Sequence, residues 1–254
     1  MRFSGLISAS VSCFLPVFGL LYSQDVYSQQ LSVAEPLVYD QKEIWFDNIV
    51  GPENTGLLNG REYFIAFPGA SSHPFFGSRE VTNERLVFHS QLYVNVPLLY
   101  DIFTDEIILR HRDKRNQFTM IVLDKDRVES FTLYNHHFKR KELKGAVEPH
   151  LAKGFFDVLF EGESISLVAK RRKTSYANVG VRDYQEDSRF FLIKGDQWIE
   201  LGGKKSYYAL SPRYKTEIQD FIKRQKIKVG RKNEADLIQV AKHCDLLEGG
   251  KSKR

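Results

Sequence analysis

The residues best able to do chemistry in this sequence are seven histidines, two cysteines and 32 carboxylates. A zinc site typically shows two histidines four positions apart on a helix or a Cys-x-x-Cys pair, and the sequence contains neither pattern. His136 and His137 are adjacent, so on a strand their side chains point to opposite faces and do not share one ion. We therefore predict no metal site and no bound cofactor.

Sequence motifs for nucleophilic and acid–base catalysis are also absent. The sequence contains no Gly-x-Ser-x-Gly elbow, no G-x-x-x-x-G-K-[ST] loop and no G-x-G-x-x-G fingerprint. The Gly69–His73 segment places serines beside a histidine, but adjacency in a loop predicts a turn and not a catalytic triad. Asp101, Asp105 and Glu106 cluster at a junction between two predicted strands, where turn-forming acids are common.

A site assembled from distant residues is the remaining way to build an enzyme from this chain. Residues 85–96 are predicted to form one strand in which apolar and polar side chains alternate, with one face on the core. His89 and Tyr93 fall on the other face and, together with Asp101, are the candidate ligand-binding or catalytic residues. A closed polar pocket around them would favour an enzyme, whereas an apolar concave sheet face would favour a lipid carrier.

The densest run of positive charge is a basic patch formed by Lys170, Arg171, Arg172 and Lys173. If the patch continues a strand, its side chains alternate between faces and suit an exposed strand end or sheet edge, where charge prevents edge-to-edge pairing. The alternative is contact with anionic lipid headgroups or an acidic polysaccharide. No nucleic-acid partner is expected, because the N-terminal sequence predicts export.

The elements that must position these residues are mainly strands. Phe and Tyr number 19 and 12, against two Trp and two Met, and this bias favours β-structure. From residue 61 to 201, short apolar runs alternate with turn signals, as in antiparallel β-sheets. We predict a tight hairpin at Gly195–Asp196 and a central strand over 118–124, which is apolar on both faces. Residues 24–60 are predicted to be an extended lead-in.

Helical periodicity appears only after residue 201. Ser211 and Pro212 are typical of a helix start, and apolar residues at helical spacing follow them. Asn233–Asp236 resembles a capping box before a further helix. We predict two helices within residues 204–247. A shorter helix over 204–210, preceding these two, is the alternative.

The charge is concentrated in this helical part. Residues 204–254 contain 14 basic and 6 acidic residues, whereas the rest of the chain is slightly acidic. The C-terminal basic helices are therefore a possible contact for an anionic surface. The basic tail 249–254 is predicted to be disordered.

The first 23 residues are predicted to be a signal peptide. Arg2 precedes an uncharged stretch that ends at Tyr22, and small and polar residues follow. Cleavage is predicted near residues 23–28, and it would leave Cys244 as the only thiol, buried on a helix face. An uncleaved anchor is the alternative. Either outcome exports the rest of the chain to the periplasm or the extracellular space, and no later stretch approaches bilayer length.

Two segments carry a resemblance to a protein family. Residues 190–243, FFLIKGDQWIELGGKKSYYALSPRYKTEIQDFIKRQKIKVGRKNEADLIQVAKH, are similar to the C-terminal part of exported proteins of Bacteroidota whose function is not established. Residues 73–109, from HPFFGSRE to LLYDIFTDEIIL, are similar to the middle part of the same proteins. The resemblance implies export and a shared architecture, and it implies no active site. His243-Cys244 departs from the family, whose members more often carry two aromatic residues there.

The sequence therefore predicts a β-dominated α+β fold, with an antiparallel β-sheet body and a C-terminal pair of helices in a single domain over 61–248. The function that it favours is a non-enzymatic, exported β-sheet module that binds a protein partner or an envelope surface. The alternatives are a periplasmic protein that binds a lipid or small molecule, and an enzyme with a dispersed active site. No membrane span is expected after signal removal.

Overall fold

The computed structural model describes residues 56–113, 115–143, 148–178, 180–230 and 233–249. The predicted signal peptide (1–23), the lead-in up to residue 55 and the tail beyond residue 249 lie outside these described residues. The predictions made for them stay predictions.

The described residues form a β-dominated α+β fold, as the sequence predicted. The strands are β1 (Arg61–Glu62), β2 (Thr82–Phe88), β3 (Gln91–Asp101), β4 (Glu106–Arg112), β5 (Phe118–Val122), β6 (Val128–Leu133), β7 (His136–Glu142), β8 (Lys153–Glu161), β9 (Ser166–Lys170), β10 (Lys173–Asn178), β11 (Val181–Glu186), β12 (Arg189–Lys194) and β13 (Gln197–Glu200). Eleven strands form one antiparallel sheet in the order β1-β5-β4-β3-β2-β6-β7-β8-β9-β12-β13, and β10 pairs with β11 in a separate ribbon.

The prediction of one strand over residues 85–96 is wrong. The chain turns back after β2, and a two-residue turn, His89–Ser90, leads into β3. Both turn residues have positive φ angles, 55° and 64°, as the tightest hairpin turns require. The Asn-Gly or Asp-Gly pair that usually predicts such a turn is absent here, so the turn could not be predicted from the sequence.

A β-bulge in β3 changes which side chains share a face. The pairs Glu84–Val96 and Leu86–Tyr93 enclose one more residue on β3 than on β2, and Asn95 has a φ of 58°. The extra residue reverses the alternation along the strand. Tyr93 and Val96 therefore face the same core, although their spacing in an uninterrupted strand would place them on opposite faces.

The strand predicted to be central lies near the sheet edge instead. β5 has only the two-residue strand β1 beyond it, and Phe118 at its start is 57% exposed. The residues of β5 are apolar on both sides because each face of the strand is partly covered, although the strand lies near the edge of the sheet. The predicted hairpin at Gly195–Asp196 is confirmed, because Lys194 pairs directly with Gln197 and Gly195 has a φ of 55°.

Aromatic side chains fill one face of the sheet. Phe131 and Phe138 stack with ring centres 4.8 Å apart, and Tyr100 and Phe155 pack edge-on against Phe131 at 5.2 and 5.3 Å. All four side chains are buried. These rings occupy the space that a lipid-carrying groove on this face would need.

The C-terminal helices pack against β9 and β12, at the end of the sheet opposite β1. They follow the strands in the chain, as the sequence predicted. They are α2 (Lys204–Leu210), a 3₁₀ turn (Pro212–Tyr214), α3 (Lys215–Arg224) and α4 (Glu234–Gly249), and a four-residue helix, α1 (Pro149–Ala152), precedes β8. The shorter helix considered for 204–210 is thus present. The Tyr207 hydroxyl donates to the Leu237 carbonyl oxygen at 3.0 Å and joins α2 to α4. Within the described ranges, no helix has the length and apolar character needed to cross a bilayer.

Candidate functional site

The three residues predicted to form a dispersed site do not converge. His89 is exposed in the β2–β3 turn, and its backbone N–H donates to the Arg127 carbonyl oxygen at 2.7 Å. Tyr93 is buried in the aromatic core, where its hydroxyl donates to Gln91 Oε1 at 2.9 Å. Asp101 lies at the far end of β3, beyond the bulge, so it does not share a sheet face with Tyr93.

Asp101 organises the turn between β3 and β4. Its Oδ1 accepts the backbone N–H groups of Phe103 and Thr104 at 2.8 and 3.0 Å, and its Oδ2 accepts the Tyr63 hydroxyl at 2.8 Å. Burial raises the pKa of Asp101, and these hydrogen bonds oppose that rise. The contacts show a structural carboxylate that closes a turn.

Lys170, the first residue of the predicted basic patch, lies in the interior. It is only 3% exposed, and its Nζ forms an ion pair with Asp105 Oδ1 at 2.9 Å. Asp105 also accepts the Tyr100 hydroxyl at 2.5 Å and pairs with Lys125. Gly154 permits this arrangement, because a Cβ there would overlap the Asp105 carboxylate and the Lys170 ammonium group. Burial lowers the pKa of Lys170, and Asp105 opposes that effect.

Arg171 is also buried and joins two carboxylates. Its Nε and Nη2 donate to Asp157 Oδ2 at 2.8 and 2.5 Å, and Nη1 and Nη2 donate to the Glu234 carboxylate at 2.5 and 2.9 Å. The guanidinium carbon lies 5.5 and 5.8 Å from the ring centres of Phe76 and Phe190. The expectation that residues 170–173 form an exposed strand end is therefore wrong for Lys170 and Arg171.

The other two residues of the patch hold neighbouring segments. Lys173 Nζ donates to the carbonyl oxygens of His73 and Phe75 at 2.7 and 2.9 Å, and burial lowers its pKa. Arg172 is half-buried, and its Nη2 lies 3.6 Å from Asp187 Oδ2. These partners lie far away in the sequence, so a run of four basic letters could not show that the charges are internally matched.

The serines beside His73 have a structural contact. The hydroxyls of Ser71 and Ser72 donate to the Asp183 carboxylate, and the backbone N–H of Ser72 donates to its Oδ1 at 3.0 Å. These hydrogen bonds hold the pKa of Asp183 well below its usual range. The loop is thereby tied to β11, which supports the prediction of a turn.

One polar pair not found from the sequence is His136 with Asp157. His136 Nδ1 lies 2.7 Å from Asp157 Oδ2, which is the arrangement by which a carboxylate orients an imidazole. Among the described residues, His136 makes no hydrogen bond to a hydroxyl or thiol. The described part also contains no group of three or more His, Cys, Asp or Glu residues that could hold a metal ion.

The hairpin end between β4 and β5 has the opposite character from the buried patch. We define the β4–β5 tip by the described residues 110–113 and 115–118, RHRD and RNQF. Asp113 Oδ1 shapes the turn by accepting the backbone N–H groups of Arg115 and Gln117 at 2.9 and 2.8 Å. Asn116 follows with a φ of 66°. The turn is therefore held by specific hydrogen bonds, and Arg115, Asn116 and Gln117 are exposed on it.

An exposed aromatic ring contacts two arginines on the β4–β5 tip. The guanidinium carbons of Arg110 and Arg112 lie 4.8 and 4.5 Å from the centre of the Phe118 ring. In the described part of the chain, Arg110, Arg112 and Arg115 form no ion pair. The sequence does contain a signal, five basic residues counting His111 within six positions, but the run at 170–173 is denser.

An open cleft lies beside the basic helices. Its volume is about 660 Å³. Two lysines and a glycine-rich turn form one side, and three apolar side chains form the other. The lining residues are Gly202, Gly203, Lys204, Lys205, Ser206, Ile222, Ile227 and Val229.

Comparison with known proteins found no matching protein-family model, no matching curated protein and no matching solved structure.

We expect Arg171→Met to lower the free energy of unfolding by about 3 kcal/mol or more, because it leaves the Asp157 carboxylate buried without its cation. Urea unfolding followed by circular dichroism measures the change. Arg172→Met is the matched control and should cost about 0.5 kcal/mol, because its ion pairs are partly exposed. Equal effects of the two substitutions would show that the Arg171 network does not stabilise the fold.

The buried Asp101 makes stability depend on pH in a defined direction. Its pKa is raised above 3.8 in the folded chain, so the folded state takes up this proton before the unfolded state as the pH falls. Between pH 7 and pH 4, wild type should gain stability relative to Asp101→Asn, by at most about 1.4 kcal/mol per pH unit. Urea unfolding of both proteins at several pH values measures this difference. A constant or shrinking difference contradicts the prediction.

Proposed function

We propose that this protein is a non-enzymatic, exported β-sheet module that binds an envelope component through its surface. The observation that carries the proposal is the β4–β5 tip, where an exposed Phe118 ring contacts arginines that have no ion-pair partner among the described residues. Charged and apolar groups left unmatched on a well-formed turn are typical of binding surfaces.

The packing of the sheet supports a surface role. Phe131, Phe138, Tyr100 and Phe155 fill the face that a carrier protein would need for an internal ligand. Asp101, which the sequence offered for catalysis, instead accepts the backbone hydrogen bonds that close a turn. Binding by an exposed surface is compatible with both observations.

Export is part of the proposal and is supported by the sequence alone. Arg2, the uncharged stretch to Tyr22 and the small residues after it are typical of a secretory signal. The resemblance of residues 73–109 and 190–243 to exported proteins of Bacteroidota supports the same compartment. We place the protein in the periplasm or outside the cell on this basis.

A small-molecule-binding protein is the second candidate function. The open cleft beside α2 favours it, because Lys204 and Lys205 lie on the same cleft as Ile222 and Ile227. A ligand with an anionic group and an apolar body would complement these side chains. The cleft lies at the basic helical end, which the sequence already indicated as a contact for an anionic surface.

Photo-crosslinking in intact cells of the source organism tests the proposed binding surface. A benzophenone amino acid replaces the exposed Gln117 on the tip, and a matched variant carries it at the exposed Asp196 in the β12–β13 turn. We expect light-dependent adducts with a lipid or protein of the envelope from position 117, and fewer than one tenth as many from position 196. Equal yields at the two positions, or adducts with cytosolic proteins only, would contradict the proposal.

A further inference from the structure

We propose that the β4–β5 tip docks on an anionic lipid bilayer, with its arginines on the headgroup phosphates and Phe118 in the interfacial region. This inference deepens the proposed function and rests on it, because it names the envelope component as lipid.

The register of the hairpin places the relevant side chains on one face. Arg112 pairs with Phe118, and Arg110 pairs with Met120 across the β4–β5 ladder. Residues two apart on a strand share a face, so Arg110, Arg112 and Phe118 project together. The cation–π distances of 4.8 and 4.5 Å confirm that they are in contact.

The chemistry of this face suits phosphate. A guanidinium group is planar and permanently charged, and it binds a phosphate through two parallel hydrogen bonds. Arg112 and Arg115 are exposed, Arg110 is half-buried, and no carboxylate among the described residues neutralises them. Asp113 lies between them and keeps its negative charge, but four basic residues against one acidic residue give segment 110–118 a net charge of +3 with His111 neutral.

Phe118 adds an apolar component at the same point. Its ring is 57% exposed, and it starts β5 at the hairpin end, not in the middle of the sheet. An apolar side chain surrounded by arginines is the combination found where proteins lie in the membrane interface. The guanidinium groups of Arg110 and Arg112 lie over the ring, so charge and apolar surface are presented at the same point.

The small size of the patch favours lipid over a folded protein partner. A stable protein interface buries about 800 Å² on each side and is centred on several apolar residues. The tip offers one large exposed apolar side chain and a ring of positive charge. Attraction to an anionic bilayer needs no complementary shape, and each arginine at the surface contributes about fivefold to the partition coefficient.

The basic helices are the competing surface and supply the matched control. Lys215 and Lys223 are exposed on α3, where Glu217 and Asp220 lie nearby on the same helix. The variants Arg112→Glu/Arg115→Glu and Lys215→Glu/Lys223→Glu change the net charge by the same amount. A difference between them therefore reports the place of the charge and not its total.

Vesicle co-sedimentation tests the inference, with protein purified from its own cells so that every variant has the same N-terminus. The vesicles are phosphatidylcholine alone or phosphatidylcholine with 40% phosphatidylglycerol, at about 50 and 300 mM NaCl, which bracket the screening length of physiological salt. We expect binding to the anionic vesicles at low salt, at least tenfold weaker binding at high salt, and at least tenfold weaker binding to vesicles without phosphatidylglycerol.

The variants give the decisive comparison. Arg112→Glu/Arg115→Glu should weaken binding at least tenfold, whereas Lys215→Glu/Lys223→Glu should stay within threefold of wild type. Phe118→Ser should weaken binding several-fold and leave the salt dependence in place. Unchanged circular dichroism and urea midpoints would show that all variants are folded, as expected for exposed positions.

Three outcomes would overturn the inference. They are equal binding to both kinds of vesicle, equal losses from the two charge-reversal variants, and crosslinks from Gln117 to protein only. The last outcome would leave the proposed binding module intact and reject lipid as its ligand. Absence of any adduct from Gln117 would reject the binding surface itself.

Discussion

The buried guanidinium group of Arg171 is the interaction on which the arrangement of the sheet and the C-terminal helices depends. It follows β9 directly and forms ion pairs with Asp157 on β8 and with Glu234 in the first turn of α4. Two aromatic rings, one from the loop before β2 and one from β12, lie against its faces. Because a buried arginine is stable only when its donors are matched, this network favours the observed position of α4 against β8 and β9.

The need to pair buried charges also explains which basic residues remain exposed on the surface. Lys170 is paired in the interior with Asp105, and the half-buried Lys173 donates to backbone carbonyls. The run that looks most suited to an anionic partner therefore stabilises the fold. The β4–β5 tip carries a less dense run, and Asp113 shapes its turn through backbone hydrogen bonds, while its arginines form no ion pair within the described residues. Position in the fold, and not density in the sequence, decides which of these charges are buried and paired.

Local sequence patterns predicted the structural features that depend on residues close together in the chain. The turn at Gly195–Asp196, the helices after residue 204 and the antiparallel body all follow from turn residues and periodicity, and the structure contains each of them. The turn at His89–Ser90 and the bulge at Asn95 use left-handed conformations without glycine, so the sequence carried no signal for them. The predicted site failed for the same reason, because the bulge moves Asp101 to the other face from Tyr93. The burial of Arg171 depends on Glu234, 63 positions away, and no local pattern contains that partner.

Hydrogen–deuterium exchange with and without phosphatidylglycerol vesicles tests the central claim most directly. The account predicts slower exchange of backbone amides within residues 110–118 when the vesicles are present. It predicts no change in the His89–Ser90 turn or in α3, which are exposed elsewhere on the protein. Protection confined to α3, or no protection at residues 110–118, would contradict the account.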